Sequence, residues 1–142
     1  KRHLVCGPPF ELMRGKEFNL AQRAIQVEVL SSIRKGQLRH VHLGAPCSVW
    51  SIARRGINNW MRALLLEEYG VEFALFTVEI CRECSRCNIT FSVDNTSSSR
   101  LWQFGPIASL LSLPRAHFVQ FHVCAFGAPY RNTSLNKKQV AC

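Results

Sequence analysis

Apolar residues recur at spacings of three and four from Leu20 onward, through Ala24, Ile25 or Val27, Leu30 and Ile33, and this predicts an amphipathic helix. Asn19, with Gln22 three residues later, has the form of an N-terminal cap, and Gly36 ends the helix. From Arg39 to Leu43 the period changes to two, polar and apolar residues alternating as in a short strand, which runs into a tight turn of small residues, Gly44-Ala-Pro-Cys-Ser48. Helical spacing returns from Trp60 to about Cys84, with Leu64, Leu65, Tyr69, Phe73, Phe76 and Ile80 on one side. Gly70 is expected to kink or split that helix, at a cost of about 1 kcal/mol relative to Ala. Asn88 to Val93 is rich in β-branched residues and predicts a second strand ending in Asp94-Asn95. After the serine-rich loop Thr96 to Ser99 come a short helix from Pro106 to Leu113, closed by Pro114, and a third strand from Phe118 to Cys124. Ala125 to Ser134 is a Gly/Pro turn region, and the tail beyond Leu135 is polar.

The order helix, strand, helix, strand, helix, strand predicts an α/β fold built of βαβ units, with a mostly parallel sheet and helices on both faces. Parallel strands bring their carboxyl ends to one crevice, where open sheets of this kind place their chemistry. Three loops would meet there. The first holds Pro46, Cys47 and Ser48, the second Asp94 and Asn95, and the third Tyr130, Arg131 and Thr133. A thiol at such a loop can be a nucleophile when a nearby cation lowers its pKa, and a carboxyl group in reach can serve as acid or hydrogen-bond partner. Asp94 is the only aspartate in the chain. A Pro-Cys turn and an Asp after a strand each have an ordinary structural reading too, as turn and cap residues.

The chain of 142 residues is long enough for one domain, and its 47% hydrophobic content excludes a disordered basic tail. The apolar stretch from Val71 to Ile80 is interrupted by glutamates and is shorter than the roughly 18 residues of a membrane span. No secretory signal is visible, and the start at Lys1 reads as a piece of a longer chain. Lysines and arginines number 18 against 9 acids, a formal charge of +9, and 13 of the 18 are arginine. Arginine's planar fork suits phosphates and base edges, so the balance points to a polyanionic partner, most simply nucleic acid; a basic surface without a dedicated partner is the alternative. Seven cysteines is an odd number and suits reduced thiols in an intracellular protein. Cys81, Cys84 and Cys87 form a C-x2-C-x2-C run at the end of the long helix. They read as buried apolar cysteines along one helix face, or as part of a zinc site whose fourth ligand must come from elsewhere.

Gly44-Ala-Pro-Cys-Ser-Val-Trp-Ser51 resembles the Pro-Cys catalytic loop of the DNA cytosine carbon-5 methyltransferases, commonly PPCQxFS. Phe91-Ser-Val-Asp-Asn95 resembles their ENV or ENP segment. Asp94-Asn-Thr-Ser-Ser-Ser-Arg-Leu-Trp102 and Cys124-Ala-Phe-Gly-Ala-Pro-Tyr-Arg-Asn-Thr133 are similar to "ENPxxSxLW" and "CMFGxxYRKxT" of a divergent branch of methyltransferase-like domains, some embedded in mobile-element polyproteins. The likeness runs from about Glu11 to Thr133. It implies a partial Rossmann-like methyltransferase sheet over residues 1–135, followed by a polar tail, 136–142.

The resemblance implies that Cys47 attacks carbon 6 of a flipped-out cytosine, that Asp94 contacts the ring, and that Arg131 helps hold the base or a phosphate. Ser48, Arg54, Arg55 and Arg100 would contact nucleic acid, expected to be DNA, and extrusion of the base is required because a cytosine inside a duplex cannot be reached. The implied cofactor is S-adenosylmethionine, with Glu11 on its ribose, Asn19 near its adenine and Pro46 beside it; Asn19 has the competing reading of a helix cap. Asp94 stands where the family has glutamate, Thr96 where Pro or Val is usual, and Asn132 where the divergent branch has lysine. The FxGxG strand-turn that opens the cofactor site would lie before Lys1, so this piece alone is expected to lack turnover. A noncatalytic nucleic-acid-binding module of a mobile-element polyprotein is the second reading, and a redox or zinc protein organised by Cys81, Cys84 and Cys87 the third. The expected compartment is intracellular, nuclear in a eukaryote and otherwise cytoplasmic.

Overall fold

The structure, a computed structural model, describes residues 6–7, 19–50 and 60–121, and the side chains of 47, 48 and 60–67 are outside that description. Helix α1 spans Arg23–Arg34, strand β1 His40–Gly44, helix α2 Cys47–Trp50, helix α3 Trp60–Arg86 and strand β2 Thr90–Asp94. A 3₁₀ turn over Arg100–Gln103, helix α4 over Gly105–Ala108 and a second 3₁₀ turn over Ser109–Ser112 complete the elements. β1 and β2 pair in parallel, His40 opposite Thr90 and Gly44 opposite Asp94. The chain between two parallel strands must return to the start of the sheet, and the 27-residue α3 makes that return.

Both long helices end in the same way. At α1, Gly36 takes φ +65° and its N–H donates to Ile33 O, while Gln37 N–H reaches back to Ser32 O. At α3, Asn88 takes φ 56°, its N–H donates to Ser85 O, and Ile89 N–H donates to Cys84 O at 2.8 Å. Each pair of bonds satisfies carbonyls that the last helical turn leaves without partners, and each needs one residue in the left-handed region, Gly in one case and Asn in the other. The expected stop at Gly36 is therefore seen. The starts differ from expectation: α1 begins at Arg23, and Asn19 Oδ1 accepts from Ala21 N–H at 3.0 Å, closing a turn ahead of the helix. β2 starts at Thr90 because Asn88 belongs to the helix ending.

Gly70 does not split α3, which runs unbroken past it. Its missing side chain has another purpose: a Cβ there would collide with Cγ1 of Val49 on α2. Alanine at this point would overpack the α2–α3 contact, at about 1–3 kcal/mol. The expected tight turn at Gly44–Ser48 gives way after Pro46 to α2. The expected helix from Pro106 to Leu113 is two short pieces, α4 and the 3₁₀ turn, with Leu113 already extended. Phe118 to Phe121 does not form the expected third strand, although Gln120 makes an isolated bridge, and 122–124 lie outside the described residues. Among the described residues the sheet thus has two strands.

The core is built from Val29, Leu30 and Ile33 of α1, Leu43 and Ala45, the α3 residues Ala74, Phe76, Val78, Ile80, Cys81 and Cys84, and Leu101, Ile107 and Leu110. Ile33 and Ile80 are fully buried, each worth about 1.5–3 kcal/mol relative to exposure. Thr77, also buried, turns its hydroxyl onto Phe73 O at 2.9 Å, so no polar atom is stranded there. Arg34 of α1 and Arg86 of α3 both grip Glu83, at 2.6 and 2.7 Å, and hold its carboxyl down at about 2 from an ordinary 4.5. Val41, Phe91 and Val93 pack against the core from one face of the sheet, whereas His40, His42 and Thr90 on the other are exposed. The expectation of helices on both faces is therefore not met among the described residues. No helix among the described residues is long and apolar enough to cross a membrane.

Candidate active site

The strand register sets the geometry. Because Gly44 faces Asp94, the two carboxyl ends finish level, and the chain leaves β1 through Ala45 and Pro46 into Cys47, the first residue of α2. The two exits are tied together: the buried Asn95 donates from Nδ2 to Ala45 O at 3.0 Å, and its Oδ1 accepts from Thr96 N–H at 2.9 Å. Gly44 also clears space for the carboxylate, since a Cβ there would lie 3.3 Å from Asp94 Oδ1. The following loop is pinned by Ser99 Oγ, which accepts from Leu101 N–H at 3.2 Å, and by Trp102 Nε1, which donates to Thr96 O at 2.9 Å. Trp50 at the end of α2 packs on Phe104, ring centres 5.3 Å apart. A rigid loop pair thus carries Cys47 and Asp94 at adjacent strand ends, the place where an open parallel sheet presents side chains to a ligand.

Asp94 is also the end of a polar ladder that the sequence reading did not single out. Thr90 Oγ1 donates to Arg39 O at 2.9 Å and contacts His40 Nδ1 at 2.9 Å. His40 Nε2 meets Ser92 Oγ at 3.0 Å, and Ser92 Oγ meets His42 Nδ1 at 2.8 Å. His42 Nε2 lies 3.1 Å from Asp94 Oδ1, an ion-pair distance, yet the ring N–H direction misses the oxygen, and this buried Oδ1 has no hydrogen bond. The signal was the alternation itself: His at 40 and 42 in one strand, Thr, Ser and Asp at 90, 92 and 94 in the other, all on one face once the register is known.

The other expected site residues are dispersed. Arg100 begins the 3₁₀ turn after the Asp94 loop and is exposed. Pro46 is half-buried just ahead of α2. Ser48 lies in α2, its side chain among those not described, and Glu11, Arg54, Arg55 and Arg131 lie outside the described residues. Asn19 Oδ1 accepts from Ala21 N–H three residues ahead of the N-cap position of α1, which Gln22 holds, so Asn19 is not the helix cap. Of the three residues expected around S-adenosylmethionine, Asn19 and Pro46 lie among the described residues and Glu11 does not.

Cys81 and Cys84 are core residues: burial pushes their thiols up to about 12 and about 11, which keeps them protonated and unreactive near neutrality. Among the described residues no three His, Cys, Asp or Glu are grouped to hold a metal ion. A cleft of about 810 Å³ runs along the outer side of β2, walled by Phe91, Val93, Trp102, Leu110, Phe118 and Val119. Asp94 is not among its lining residues, so the candidate chemistry and this apolar cleft are separate features.

Comparison with known protein families, with curated proteins and with solved structures finds no match for this chain.

Proposed function

We propose that the chain is a cytosine methyltransferase-like domain acting on nucleic acid, with Cys47 as nucleophile toward carbon 6 of an extruded cytosine and Asp94 as the acidic partner on the ring. The observation that carries this reading is the pairing of Gly44 with Asp94, locked by the Asn95–Ala45 hydrogen bond, which sets the Pro-Cys segment and the carboxylate at neighbouring strand ends. The resembled family joins its cysteine and acid by the same two loops. Arg131 as base or phosphate contact, Arg54, Arg55 and Arg100 as nucleic-acid contacts, DNA as the partner and S-adenosylmethionine as methyl donor follow from the resemblance. So do a fuller Rossmann-like sheet and an intracellular, element-encoded setting. The charge of +9 supports a polyanionic partner independently of the resemblance.

The test is a DNA carrying 5-azacytosine, whose ring traps thiolate addition at carbon 6 without methyl transfer, incubated with this chain and read as an adduct that survives denaturing gels. A parent-like site gives an adduct that Cys47→Ser abolishes while DNA binding persists. Binding without any adduct, indifferent to Cys47→Ser but lost in Arg54→Ala/Arg55→Ala, establishes instead the noncatalytic nucleic-acid-binding module that the net charge favours.

A further inference from the structure

The two passages from helix to strand bring cations to one end of the fold. α1 ends at Arg34 and leads through Lys35 and Arg39 into β1, while α3 ends at Arg86 and leads into β2 at Thr90. Because β1 and β2 are parallel, both passages lie at the amino ends of the strands. Thr90 N–H and Oγ1 donate to Arg39 O at 3.3 and 2.9 Å, which sets Arg39 beside the start of β2. Arg34 and Arg86 meet at one carboxylate oxygen, Glu83 Oε1, at 2.6 and 2.7 Å. Arg34, Lys35, Arg39 and Arg86 are all exposed. Gly44 follows Arg39 by five residues, about 16 Å of extended strand, so this pole is remote from Cys47 and Asp94.

A base in a last helical turn ordinarily complements the helix dipole, which accounts for Arg34 and Arg86 one at a time. It does not account for Arg39, which belongs to no helix, nor for the sorting of charge along α3. There Glu68, Glu72 and Glu79 come with no base between them, and Arg82 and Arg86 follow. Glu83 fixes its two arginines without exhausting them. Arg34 binds it through Nε and Arg86 through Nε and Nη2, whereas a guanidinium offers five N–H donors. Two forks held at one point are pre-organised for a second anion. Among the described residues, no large apolar side chain is exposed in the last turns of α1 and α3 or between them and the strands. A membrane-binding surface sets inserting apolar side chains beside its cations; a phosphodiester backbone requires the cations alone.

We propose that Arg34, Lys35, Arg39 and Arg86 form a phosphate-binding surface that seats the backbone of a nucleic acid at this pole. It positions the polyanion without reading its sequence, and it is additional to Arg54, Arg55 and Arg100. It shares the polyanionic partner of the proposed function but needs neither Cys47 nor Asp94.

The experiment is fluorescence anisotropy of a labelled DNA duplex titrated with the full chain at a series of salt concentrations. Each phosphate contact contributes about 0.9 to the slope of log affinity against log salt. Arg34→Gln/Arg86→Gln also unpairs Glu83, so the deciding variant is Lys35→Gln/Arg39→Gln, whose exposed cations make no ion pair among the described residues. It should lower the slope by about two and the affinity about tenfold. Arg23→Gln, at the other end of α1, should leave the slope unchanged. An unchanged slope in Lys35→Gln/Arg39→Gln overturns the proposal and leaves the reading of Cys47 and Asp94 untouched. An equal loss per charge in Arg23→Gln also overturns it, since net charge alone would then explain the binding. A wild-type chain that ignores the duplex but sediments with phosphatidylcholine–phosphatidylserine vesicles overturns it in favour of a membrane surface. One that binds neither overturns it together with the nucleic-acid partner of the proposed function.

Discussion

Val41, Leu43, Phe91 and Val93 lie on the core side of the two strands, while His40, His42, Thr90, Ser92 and Asp94 alternate with them on the other. The backbone is the same, and the faces differ in what holds them. On the apolar face, adhesion is non-directional and scales with area, so α1 and α3 need only present enough hydrocarbon. On the polar face the contacts from Thr90 through His40 and Ser92 to His42 are directional hydrogen bonds. Stability and candidate chemistry are thus divided residue by residue along each strand.

Substitutions on the two faces should separate sharply. Leu43→Ala removes a buried side chain from the apolar face, and chemical denaturation should show a loss of about 2–5 kcal/mol. A smaller loss follows at the point where the faces meet the strand ends. Asn95→Ala strands the buried Ala45 carbonyl, and the same measurement should register about 1–3 kcal/mol; a loss near zero would mean that the two exits are not tied by this bond.

Acid probes the helical side. Glu83 is held at about 2 in the folded chain against 4.5 ordinarily, so its contribution is fully present above pH 4.5 and is lost as pH falls toward 2. The urea midpoint of the wild-type chain should fall more steeply over that window than that of Glu83→Gln. The smallest effect belongs to His40→Ala on the exposed ladder, within about 0.5 kcal/mol of wild type. A loss comparable to Leu43→Ala would show that the polar face is structural after all and blur the division.

Local signals were legible where a residue type answers a local demand. The helix ending at Gly36 was readable because a left-handed position favours glycine; the equivalent role of Asn88 was not, because its β-branched neighbours Ile89 and Thr90 drew it into the strand pattern. Gly70 carried the right signal with the wrong cause. Helix propensity suggested a break, whereas the residue answers to Val49, 21 positions away, which no local pattern can encode. Cys47 and Asp94 stood out as candidates in one dimension, and the alternation of His40 and His42 was visible, but nothing local joined those histidines to Ser92 and Asp94.

By itself, then, the sequence determined the period of α1, β1, α3 and β2 and the residue types available near the ends of the two strands. Only the tertiary structure decided the parallel register that sets Gly44 against Asp94, the closeness of α2 to α3, and the division of core and ladder between the two faces. Register is a choice among pairings of the same two strands. It is made by which alternate residues bury their apolar surface, and a one-residue slip would turn His42 inward and Leu43 to solvent.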